Sequence, residues 1–103
     1  MQQVIDKRHS DRSELLLEVK YEGAGVRAET RISDISERGV FVDAMMPLPA
    51  GAMLRLTFTL PDGRLMEVEG RVAHCQPRIG MGIEFINLSP EDLQSISALA
   101  HLR

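Results

Sequence analysis

The sequence predicts an all-β domain with a C-terminal helix: a small six-stranded antiparallel β-barrel or sandwich preceded by a flexible N-terminal arm. Three observations lead there. Apolar and polar residues alternate with a period of two through short runs between Leu15 and Ile86. Clusters of Gly, Pro, Asp and Ser punctuate those runs at short spacing, as in small barrels and sandwiches. Only after Asn87 does the apolar spacing become that of a helix.

Residues 1–12 are polar, without hydrophobic periodicity, and read as an arm. From Ser13 the pattern is strand-like, with Leu15, Leu17 and Val19 alternating with Leu16, Glu18 and Lys20. Gly23 and Gly25 supply a turn, and Val26, Ala28, Thr30 and Ile32 then alternate with Arg27, Glu29 and Arg31. The segment Ser33 to Gly39 breaks that run, and Val40-Phe41-Val42 resumes it as a short strand. Pro47 and Pro49 make the next stretch a loop. Leu54, Leu56, Phe58 and Leu60 then share one face of a strand over 53–60, and Pro61-Asp62-Gly63 turns the chain. Met66, Val68, Gly70 and Val72 alternate with Glu67, Glu69 and Arg71, and a last strand covers Ile79 to Ile86. Ser89 is placed to cap a helix whose first residue is Pro90, with Glu91 and Asp92 suited to its positive end. Leu93, Ile96, Leu99 and Ala100 form its apolar stripe.

The 103 residues and 11.5 kDa allow one domain, divided as arm (1–12), barrel (13–88) and helix (89–103). The 44% hydrophobic and 26% charged content is ordinary for a folded domain and excludes wholesale disorder. A net charge of −3, few aromatics and no basic stripe argue against a nucleic-acid binder. No apolar run is long enough for a bilayer-spanning helix, so no membrane insertion is expected. Met1 to Arg8 lacks the apolar stretch of a signal peptide, so a cytoplasmic address is expected. Of the 12 Lys and Arg residues only Lys7 and Lys20 are lysines, a bias toward planar, bidentate recognition of anions or bases.

Enzymatic chemistry finds little support. One cysteine excludes an internal disulfide or multi-thiolate site, and His74 and Cys75, adjacent on a strand, point to opposite faces. His9 and His101 lie at the two chain ends, so no metal site is expected. There is no Gly-x-Ser-x-Gly elbow. Gly80-Met81-Gly82 resembles part of a dinucleotide fingerprint, but a strand rather than a helix follows it, and it reads as close backbone packing. Glu67 and Glu69 read as a solvated strand face, and no cofactor is expected.

Two clusters invite a binding role. Arg8 and Arg12, four apart, can grip a phosphate or bond the O6 and N7 acceptors of guanine; alternatively they form a solvated arm neutralised by Asp6 and Asp11. Asp34 and Ser36 share a face if the backbone is extended. The carboxylate can accept from guanine N–H groups, and Gly39 permits a sharp turn or close approach of a ligand. The same residues also suit a simple strand junction.

Together, Arg8-His9-Ser10-Asp11-Arg12 and Asp34-Ile35-Ser36-Glu37-Arg38-Gly39 resemble the two signatures of the PilZ domain family of bacterial cyclic di-GMP receptors. The first, Arg-x-x-x-Arg, precedes the first barrel strand; the second, Asp/Asn-x-Ser-x-x-Gly, lies between the second and third. Pro49-Ala50-Gly51, Pro61-Asp62-Gly63, Gly70-Arg71-Val72 and Gly80 to Phe85 are similar to the family as well, so the likeness covers nearly the whole chain. It implies that Arg8 and Arg12 bind phosphate and guanine, that Asp34 reads the guanine donors, and that Ser36 and Gly39 shape the pocket. Many relatives carry an arginine where Lys7 stands here, a neighbourhood that bears on whether one ligand or a stacked pair is bound. Lys7, a further ligand contact, keeps the charge but not the planar surface.

The implied function is a receptor whose arm is pinned to the barrel by ligand, changing the surface shown to a separate effector protein. The alternative is a protein–protein interaction module of the same fold that binds no nucleotide. Met45, Met46 and Leu48 would then dock a partner, unless that loop plugs one end of the barrel.

Overall fold

The structure, a computed structural model, describes residues 17–101. Alternating residues build six strands: β1 (Glu18–Gly23), β2 (Val26–Ile35), β3 (Gly39–Asp43), β4 (Met53–Thr59), β5 (Leu65–Gln76) and β6 (Gly80–Ile86). The helix α1 (Pro90–His101) follows. The strands close into an antiparallel barrel in the order β1-β2-β3-β6-β5-β4, so no strand edge is left open.

Inward residues form one continuous core. Leu56, Phe58, Met81 and Val42 are fully buried, and Phe58 meets Phe85 edge-on with ring centres 6.3 Å apart. Tyr21 also faces inward, and burial pushes its phenol above the ordinary value. The period-two pattern follows directly: in β4 and in β5 as far as Val72, every second residue is buried.

The antiparallel order gives the barrel two distinct ends. At one lie the start of β1, the β2–β3 turn, the β4–β5 turn and α1; at the other lie the β1–β2 turn, the β3–β4 loop and the β5–β6 turn. The helix starts as its cap residues require, with Ser89 Oγ accepting from the Asp92 amide at 3.0 Å. Ile96 and Leu99 bury into the first end, whereas Leu93, expected in the same stripe, is 42% exposed. The β3–β4 loop sends Leu48 into the core, while Met45 and Met46 stand 71% and 85% exposed.

Several boundaries differ from the sequence reading: β1 runs on through Tyr21 to Gly23, and β5 runs past Val72 to Gln76. Strand β2 continues through Asp34 to Ile35 rather than breaking at Ser33, because a register shift between Ile32 and Asp34 absorbs one residue and lets pairing resume. Strand β4 ends at Thr59, although Leu60 is still buried. Strand β6 begins at Gly80, since Ile79 donates its amide to Gln76 in the preceding turn.

Candidate functional site

The β2–β3 turn is built by its own side chains. Beyond the register shift, Asp34 pairs with Phe41 across the ladder and is exposed, while Ile35 turns into the core. The Ser36 amide donates to the Gly39 carbonyl at 2.9 Å, and Ser36 Oγ accepts from the Arg38 amide at 3.2 Å. The turn is tied sideways as well. The Arg38 carbonyl accepts from the Phe85 amide at 2.9 Å, and Glu37 accepts from Ser97 Oγ of α1 at 2.7 Å.

Gly39 is needed here for a reason other than turning. A Cβ there would collide with the Ile83 carbonyl oxygen on β6, so its place is set by the close approach of two paired strands.

From this turn an open cleft of about 400 Å³ runs up the outer wall of β3, β6 and β5. Its floor is a row of register partners on four successive strands: Asp34 on β2, Phe41 on β3, Gly82 on β6 and His74 on β5. Val72 and His74 face successive β6 residues, Ile83 and Gly82, because the register shifts between them. His74 is thereby placed on the outer wall. Glu84 closes one side of the cleft, held at 2.8 Å by Arg71 in a half-exposed pair that adds little to stability.

The structure therefore gathers Asp34, Ser36 and Gly39 around one cleft. Arg8 and Arg12, like Lys7 and the expectation of a flexible arm, lie outside the described residues. Where the chain enters is described: Leu17 accepts from the Ile32 amide at 3.0 Å, two residues before Asp34. Arg12 is five residues upstream of Leu17, a span of at most about 17 Å when extended.

Sequence reasoning missed Phe41, His74, Gly82 and Arg38 as cleft residues. A signal for part of this was present. Gly80 and Gly82 share the outward face of a strand whose other face, Met81 and Ile83, is core. Bare glycines on an outer wall leave room for side chains of adjacent strands to lie flat.

The cleft offers two carboxylates, a hydroxyl, a guanidinium and two rings. Among the described residues, no group of three His, Cys, Asp or Glu side chains is arranged to hold a metal, and no helix is long and apolar enough to cross a membrane. Fold and cleft together define a small β-barrel binding domain.

The family model of the PilZ domain matches residues 6–101, and the chain belongs to the PilZ domain family. PilZ domains are in general cyclic di-GMP receptor domains, binding and adaptor modules rather than enzymes. Among solved structures, the PilZ domain of CeSA from a cellulose-synthesizing bacterium is similar in fold. The TM-score is 0.62 at 17% identity, and the match covers 79% of this chain and 85% of that one. Comparison with curated proteins found no match.

Proposed function

We propose that this chain is a cytoplasmic cyclic di-GMP receptor that signals to a separate effector protein. Arg8 and Arg12 bind phosphate and guanine, with Lys7 as a further contact. Asp34 accepts from guanine N1–H and N2–H₂, and Ser36 and Gly39 shape the turn beneath. One observation carries the reading: the residues of the second signature line a single open cleft at the end of the barrel where the chain enters from the first. The ligand is regulatory, no bond is made or broken, and the protein supplies no cofactor. Pinning the arm over the cleft would change the surface that an effector reads.

A second reading is an interaction module without nucleotide, and the exposure of Met45 and Met46 favours it. Isothermal titration with cyclic di-GMP, with GTP as control, separates the two. Selective binding is expected, weakened about 10- to 150-fold in Asp34→Ala by loss of charge-assisted hydrogen bonds, and lost in Arg8→Ala. Absence of binding by the wild type would turn the assignment to the interaction module.

A further inference from the structure

Among the described residues, Phe41 and His74 carry the only rings lining the cleft, and both lie against glycines of β6. A Cβ at Gly82 would strike the His74 imidazole, with Nε2 and Nδ1 only 2.8 and 2.9 Å away. A Cβ at Gly80 would meet Phe41 Cε2 and Cζ at 2.6 and 2.9 Å. The two rings are tilted by 32° with centres 6.3 Å apart. Glycine at both positions leaves room for the rings to lie against the strand as one shelf, with His74 exposed and Phe41 half-buried.

The shelf is at a useful distance from the carboxylate. Neighbouring strands lie about 4.8 Å apart, so Asp34 is two spacings, roughly 10 Å, from Gly82 and three, roughly 14 Å, from His74. One purine fits between, lying on the shelf with its hydrogen-bonding edge toward Asp34. The chain has no Trp and its single Tyr, Tyr21, is buried, so no other described aromatic residue provides such a surface beside Asp34.

We infer that His74, with Phe41 beside it, is the stacking platform for one guanine base of the ligand, and that Asp34 reads that same base at its edge. This rests on the cyclic di-GMP reading above. An aromatic face attracts any base, so His74 sets affinity and base orientation while Asp34 selects guanine.

The alternative is that His74 merely covers the bare backbone at Gly82. Leucine keeps that cover but has no π-face, and phenylalanine keeps both. Titration with cyclic di-GMP should therefore show His74→Leu and His74→Ala weakened about 5- to 150-fold and His74→Phe close to wild type. His74→Trp adds a direct reporter, because it is the only tryptophan in the chain. Its emission should be quenched as ligand saturates. Wild-type binding with undiminished affinity in His74→Leu, or calorimetric binding with unchanged tryptophan emission, overturns the platform and leaves the receptor intact. No binding by the wild type overturns both.

Discussion

The two ends of the barrel are closed by the same physics and used differently. At one end α1 inserts Ile96 and Leu99, and its Ser97 is hydrogen-bonded to Glu37 in the middle of the β2–β3 turn. At the other end a loop with no regular structure inserts Leu48 and leaves Met45 and Met46 in solvent. That loop is held by its backbone: Arg78 donates to the Met45 carbonyl, and Ala44 to the Ile79 carbonyl, each at 3.1 Å. The loop, framed from the sequence as either a plug or a docking surface, divides its residues: Leu48 is the plug, and Met45 and Met46 are exposed. The helix end couples its plug to the cleft, whereas the loop end combines its plug with an exposed apolar tip.

Replacing the two plugs is the strongest way to break this comparison. Ile96→Ala and Leu48→Ala each leave a cavity in a packed core and should each cost about 2–5 kcal/mol. For a domain of this size that lowers Tm by roughly 4–8 °C per kcal/mol, read by thermal melts. The ends should differ in a second readout. Amide exchange at Glu37 and Arg38 should rise in Ile96→Ala and stay as in wild type in Leu48→Ala, because of the two plugs it is the helix that is bonded to that turn. Equal effects on the turn from both would show that the ends are not independent. A smaller effect sharpens the contrast within the loop itself. Met45→Gln with Met46→Gln should change stability by no more than about 0.5 kcal/mol, in the same melts, since neither side chain is buried. If the pair destabilises the fold as Leu48→Ala does, the exposed tip is structural after all.

Much of this was legible from residue order alone. Period-two alternation located all six strands, because inside-and-outside placement in a closed barrel has no other source. The Ser89-Pro90 start of α1 was equally plain, since cap chemistry is local. Leu93 was misjudged because helical spacing says which residues share a face, not how far the surface beneath extends. At the site, Asp34, Ser36 and Gly39 were visible as a turn motif. Phe41 and His74 were not, because their meeting depends on the register of β3, β6 and β5, including the shift between Val72 and His74. Even Gly39, singled out from the sequence as a turn or ligand-approach position, owes its place to the carbonyl of Ile83, 44 positions later in the chain.

The smallest effect concerns two of the hairpin turns, one at each end. In the β4–β5 turn, Asp62 accepts from both the backbone amide of Arg64, at 3.0 Å, and its Nε, at 2.8 Å. These bonds hold the Asp62 carboxyl below its ordinary value, the backbone one first. In the β1–β2 turn, Glu22 meets Arg27 through a single bond of 3.2 Å. A carboxyl with a lowered value in the folded state binds its proton less readily than in the unfolded chain. Its contribution is therefore present above the ordinary carboxylate range and fades as pH falls through the folded value. Both partners are exposed, so the expected sign is firm and the size small. Carboxyl NMR titration should place Asp62 below the ordinary carboxylate value, and Arg64→Ala should raise it toward that value. Titration of Asp62 unchanged by Arg64→Ala would mean that the turn backbone alone sets it, leaving the Arg64 side chain as a surface group like the one at the opposite end.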